Sequence, residues 1–170
     1  MKKVISCSIA IFLTVLLANS AVAANSKNPY GTATIDPAAP NEIILTISKG
    51  SRKVEFAYPR LLKLKHSTIS IYEPFLKKRQ TFTVIRLQTL FNFVGISGKD
   101  KVLTKALNDY IFTGTAADLI ESQGYLAIKR NGSPISYDQG GPIRIVFPDD
   151  SKWSKNLDAW NWSLFTISVK

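Results

Sequence analysis

Cysteine occurs once in this chain, at Cys7, and histidine once, at His66, while 12 carboxylates stand against 22 lysines and arginines. A single histidine rules out the usual histidine-based metal cluster. A Ser-His-Asp arrangement would have to use His66, which sits in the basic stretch "KLKHS" without a nucleophile motif beside it and reads as a solvated surface side chain. A phosphate loop is missing as well. "GISGKD" at 95–100 has too short a spacing and no Ser or Thr after its lysine, so it reads as a helix-ending turn. Internal repeats and low-complexity tracts are also absent.

The one long apolar run lies at the beginning, in "MKKVISCSIAIFLTVLLANSAVAAN". Two lysines, an apolar segment from Val4 to about Ala18 and small residues at Ala21 and Ala23 match a secretory signal peptide over residues 1–24. A spanning helix needs about 20 apolar residues, and this run is shorter. Cys7 lies inside the run and not at the cleavage point, which argues against a lipoprotein. Cleavage would leave an exported, periplasmic chain with no disulfide, thiolate ligand or cysteine nucleophile, whose fold rests on its apolar core. Residues 25–41, with three prolines, read as an N-terminal arm, and 42–170 as a single domain.

Without the leader, 20 basic residues face 12 acidic ones, a balance of +8. The excess is concentrated between Lys49 and Arg79, where nine cations meet only Glu55 and Glu73. Such a basic side suits an acidic protein or an anionic membrane surface, or else serves as a solvated face. Nucleic acid is an unsuitable partner for an exported chain.

Local patterns outline an α+β fold of mixed sheets with a few short helices. "EIILTISKGSRKVEFAY" alternates on both sides of a glycine turn and predicts a hairpin; "YPRLLKLKHSTISIYEP" predicts a short leucine-rich turn and a strand ending at Pro74. Val84, Leu87, Leu90, Phe91 and Val94 are spaced for a helix that stops at Gly95. "KVLTKALNDYIFTG" is a strand leading into a polar turn, and "TAADLIESQG" a short helix capped by Thr115, with Asp118 three residues on. "YLAIKRNGSPIS" reads as a hairpin about Asn131-Gly132. "GPIRIVFP" then reads as a buried strand with Ile143, Ile145 and Phe147 on one face and Arg144 on the other, and "WNWSLFTISVK" as the last strand, with Trp160 and Trp162 on one face and Asn161 opposite. An arginine inside a strand needs a partner.

Aromatic and polar residues are thus the remaining chemistry: "ALNDY" at 106–110, "YDQGGPIR" at 137–144, and Trp153, Trp160 and Trp162, which by themselves are as well explained as core. "GYLAIKRNGSPISYDQGGPIRIVFP", together with "ALNDY", the "NFVGI" helix end and "NWSLFTISV", resembles the sulfite-oxidase-fold, molybdopterin-binding oxidoreductase domain over residues 80–170. In enzymes of that fold a cysteine thiolate binds molybdenum, and the mature chain has none. Gln139 stands where the Asp-His-Gly stretch has histidine, and Asn161 replaces the lysine before the family's tryptophan, while Arg144 is kept.

This profile is similar to short periplasmic pterin-binding proteins that report to an inner-membrane GGDEF/EAL-type protein, a diguanylate cyclase and phosphodiesterase, and so affect cyclic-di-GMP and biofilm formation. The resemblance therefore implies a non-catalytic sensor whose ligand is a reduced pterin without molybdenum and without a metal. A molybdopterin-dependent oxidoreductase subunit and a periplasmic adaptor with a vestigial cleft are the alternatives. A pterin edge offers adjacent donors to a carboxylate and a carbonyl to a donor. Asp109 suits the first role and Asn108 the second, unless both merely build an Asx turn. Trp162 leads the candidates for ring stacking, with Tyr110, Tyr137 and Trp153 behind it. Arg144 would bond the ligand, brace Asp138, or form a purely structural salt bridge. Gln139 can donate and accept without titrating.

Overall fold

The computed structural model describes residues 40–169; the leader and the arm up to residue 39 lie outside them. Two sheets carry the fold. The first has the order β2-β1-β9-β5-β6 and the second the order β3-β4-β7-β8. In the first, β1 (Ile43–Lys49) and β2 (Arg52–Ala57) form the expected hairpin around Gly50, whose φ of 56° meets the left-handed requirement of a two-residue turn. β9 (Leu164–Val169) inserts between β1, to which it is parallel, and the antiparallel hairpin of β5 (Lys101–Ala106) and β6 (Ile111–Thr115). The second sheet is antiparallel throughout: β3 (Ser67–Glu73), β4 (Lys78–Arg86), β7 (Tyr125–Arg130) and β8 (Arg144–Val146).

Among the described residues, three short helices, α1 (Tyr58–Leu62), α2 (Leu87–Asn92) and α3 (Ala116–Glu121), join the strands. The fold class is α+β as the sequence pattern indicates. Leu45, Ile47, Phe56, Phe82, Ile85, Leu126, Ile128, Phe147 and Ile167 belong to one continuous core. Thr115 caps α3 as expected: its Oγ1 accepts from the Asp118 amide at 3.0 Å and donates to the Asp118 carboxylate at 2.7 Å.

Three local expectations change. Val84 belongs to β4, which runs on to Arg86 because the β-branched Thr83-Val84-Ile85 stretch pairs with β7 across a bulge; α2 starts only at Leu87. Leu87, Leu90, Phe91 and Val94 are buried at helical spacing, and the segment does end at Gly95, in the left-handed region at 74°. Asn131 and Gly132 make the predicted turn, both with positive φ, yet no second strand returns. A lone bridge between Arg130 and Ser133 is followed by Pro134, which has no N–H to extend a ladder. β8 is only three residues long, and the final strand begins at Leu164, after a 3-10 turn at Leu157–Ala159 and a left-handed Ser163 at 49°. Trp160 and Trp162 therefore do not share a strand face. Lys65 and Lys77 stand at opposite ends of the seven-residue β3, about 23 Å apart at ~3.3 Å per residue.

Candidate functional site

Arg144 lies at the centre of the candidate site. Its flanking strand is buried on both sides, so period two does not separate core from solvent there, and the guanidinium lies inside the protein with 0% exposure. From β8, at one edge of the second sheet, it reaches Glu73 at the end of β3, the opposite edge; Nη2 and Oε1 are 3.5 Å apart and Glu73 is equally buried. Opposite Arg144 on β7 is Ala127, whose methyl leaves the sheet face open, and the side chain then passes over Phe82, with Cζ 4.8 Å from the ring centroid. A second ring, Trp162, lies 4.6 Å from the same carbon. Two aromatic faces and a carboxylate thus offset the desolvation of this cation.

Glu73 was not among the sequence-derived candidates. Its place in the series Ile69, Ile71, Glu73 is the sign that was available: alternation puts it on the face that carries buried Ile71. Its other oxygen, Oε2, accepts from the Leu76 amide at 2.5 Å and so ties the turn that follows β3. Phe75 in that turn stands edge-on to Trp162, with centroids 4.7 Å apart.

Gly140 packs directly on the indole. A Cβ there would fall 2.5 Å from Cε3 of Trp162, and the residue has φ of 78°, so glycine is required twice over. This places the 3-10 turn Tyr137–Gln139 beside the ring. Gln139 Oε1 accepts a hydrogen bond from Arg130 at the surface. Asp138 is exposed, and the carboxylate that meets Arg144 is Glu73.

Backbone hydrogen bonds draw three separate segments together. The Ser163 amide donates to Gly140 at 2.9 Å, the Leu107 amide to Ser163 at 2.9 Å, and the Ile145 amide to Asn161 at 3.0 Å. The Asn108–Tyr110 turn therefore neighbours the Trp162 segment and, through it, the Gln139–Arg144 segment. Within that turn the Asn108 side chain accepts from the Tyr110 amide at 3.2 Å, an Asx turn. Asp109 has φ of 65°, is 82% exposed in its side chain and pairs with Lys105 at 2.7 Å. The Tyr110 hydroxyl donates to the Asp158 carbonyl at 3.0 Å; partial burial and the nearby Asp158 carboxylate push its pKa up. Tyr137 lines a hollow of about 190 Å³, open mouth included, with Leu107, Pro142 and Phe165.

Trp153 does not join this group. It packs edge-to-face on Phe112 and Phe147 in the core, and its carbonyl accepts from the Trp160 indole. Asn161 is buried on the side of β5, donating to the Thr104 carbonyl and hydroxyl at 3.2 and 3.0 Å. It braces the segment that carries Trp162.

A family model described as the oxidoreductase molybdopterin binding domain matches residues 72–160. No curated protein matches the chain significantly. Among solved structures, the sulfane dehydrogenase SoxCD from Paracoccus pantotrophus matches with a TM-score of 0.58 and 13% identity, covering 74% of this chain. The match spans only 37% of that protein's chain, and at this identity the likeness is one of fold. The matched residues include Glu73, Phe75, Phe82, Gln139 and Arg144, with Trp162 two positions beyond. On this match the chain belongs to the oxidoreductase molybdopterin binding domain family.

Proposed function

We propose that this domain is an exported, non-catalytic pterin sensor that reports to the periplasmic part of an inner-membrane diguanylate cyclase and phosphodiesterase. The observation that carries this reading is a mismatch between family and donors: residues 72–160, which match a molybdopterin-binding domain, contain neither cysteine nor histidine. The buried arginine at the centre of the site is committed to Glu73. These residues do not fit the metal end of the family's cofactor.

The organic end of such a ligand has better support. Trp162 is half-buried, with Arg144 over its ring and Gly140 packed against it, so a ligand would stack on the part of the indole these leave exposed; stacking on an aromatic is worth roughly 1–3 kcal/mol for a base-like ring. Asp109, held only by an exposed lysine, is free to exchange that partner for two ligand N–H groups. At the rim, Gln139 beside Arg130 can donate and accept without titrating.

Mass spectrometry of the small molecule extracted from protein isolated from its native cells tests the proposal. A reduced pterin without molybdenum is expected. Stoichiometric molybdenum in the same preparation would overturn the sensor reading in favour of an oxidoreductase.

A further inference from the structure

The turn between β3 and β4 touches the candidate site through Phe75 and Trp162, and it also carries exposed features that this contact does not use. Pro74–Lys77 forms the turn, and Phe75 and Leu76 at its apex are 45% and 42% exposed. Tyr72, two residues before it, is 49% exposed and lies opposite Arg79 in the register of the two strands. Lys77 and Lys78 follow the apolar pair, both exposed and neither in an ion pair with another described residue. The two carboxylates tied to this end of the hairpin are already engaged: Glu73 faces Arg144 inside the protein, and Asp149 binds Arg79 at 2.8 Å.

The apolar pair is presented rigidly. Glu73 fixes the Leu76 amide, Phe75 rests against Trp162, and the Tyr72 amide donates to Asp149 at 2.6 Å. A pre-ordered apex loses little conformational freedom when it docks. Scattered apolar side chains are ordinary on a surface, but here three large ones cluster at one hairpin end with uncompensated cations behind them. Apolar residues at the apex, then a tyrosine and lysines one step back, reproduce the depth profile of a bilayer: acyl chains first, then an interface that favours aromatic rings and, in anionic lipid, lysine. A four-residue apex is small for a protein interface, which takes about 800 Å² from each partner.

We infer that the β3–β4 turn is a peripheral docking point for an anionic phospholipid bilayer, with Phe75 and Leu76 entering the interface and Lys77 and Lys78 contacting headgroups. This contact does not depend on the pterin reading, and a protein that binds no pterin would still make it.

Co-sedimentation with vesicles of phosphatidylcholine alone, and of phosphatidylcholine mixed with an equal part of phosphatidylglycerol, tests the inference. All proteins carry the full chain, so that the apolar N-terminal run contributes equally to each. Wild type is expected to gain binding on the anionic vesicles, and the gain to fall with added salt. Lys77→Gln with Lys78→Gln should weaken that gain about 25-fold, taking each lysine as about fivefold at such a surface. Phe75→Ser with Leu76→Ser should weaken it by about tenfold or more. Lys63→Gln with Lys65→Gln, beyond the other end of β3, should leave it unchanged. Circular dichroism establishes that each variant is folded, and either tip pair alone is enough to decide the outcome. Equal binding of wild type to neutral and anionic vesicles, or equal loss in the Lys63/Lys65 control, would overturn the inference. So would tip-dependent capture on poly-glutamate beads without any gain on vesicles, which would identify an acidic polypeptide as the partner.

Discussion

Arg144–Glu73 and Lys105–Asp109 are both pairs of one cation and one carboxylate, placed in neighbouring parts of the same candidate site. The first pair is wholly buried and spans a sheet; the second joins positions four apart on one hairpin, with side chains 41% and 82% exposed. Burial makes the first a commitment, because either partner left alone would be a charge without water. Exposure makes the second exchangeable, since water and salt already compete for both groups. The candidate site thus combines a fixed half, which aligns Phe82, Trp162 and the Phe75 turn, with an exposed half whose carboxylate is held by an exchangeable partner.

The largest expected effect separates these halves. Glu73→Gln or Arg144→Met should each destabilise the fold by about 3–5 kcal/mol in urea unfolding, the range for breaking a buried pair. The double variant Glu73→Leu with Arg144→Met should recover most of that loss, because hydrophobic replacement removes both desolvation costs. If the double variant is no more stable than the worse single one, the buried pair is not the unit that organises this region.

Ligand binding comes next. Asp109→Ala should weaken affinity for a reduced pterin by roughly 10–150-fold, the equivalent of about 1.5–3 kcal/mol for a charge-assisted bond. Calorimetry reads the affinity, and because residue 109 is held in the left-handed region, alanine there should also cost about 1–2 kcal/mol of stability in urea unfolding. Trp162→Ala should lower both affinity and stability, because the indole also covers Arg144 and Phe75. An affinity unchanged in both variants would remove this group of residues from the ligand site.

The smallest effect concerns two carboxylates remote from Arg144. Hydrogen bonds from Lys49 and the Ser97 amide hold the Asp100 pKa below its ordinary value, and Lys152 with Thr115 does the same for Asp118. A lowered folded pKa means that their stabilisation is complete above the unfolded carboxylate value near 4 and is lost as pH falls through the folded value. Thermal midpoints measured from pH 6 downward should therefore fall less steeply in Asp100→Asn and Asp118→Asn than in wild type. Identical slopes would mean that these pairs contribute nothing to acid sensitivity.

Within the residues described, what the sequence by itself determined is local. Thr115 and Asp118 close a cap over three residues, Gly50 and Gly95 supply left-handed corners, and alternation marks β1 to β3, because each depends on hydrogen bonds or side-chain periods only a few residues long. The absence of cysteine and histidine from 72–160 is equally a property of the sequence. Tertiary structure decided the rest. Arg144 was legible as a cation in need of a partner, but Glu73 lies 71 positions earlier, and only the order β3-β4-β7-β8 with a small Ala127 opposite β8 lets the two meet across the sheet. Trp160 and Trp162 look equivalent at a spacing of two until the 3-10 turn and the left-handed Ser163 send one into the core and the other to Arg144. An ion pair or a ring contact between distant residues is fixed by how whole elements pack, and strand order is decided by burial summed over the entire core, which no window of neighbouring residues contains.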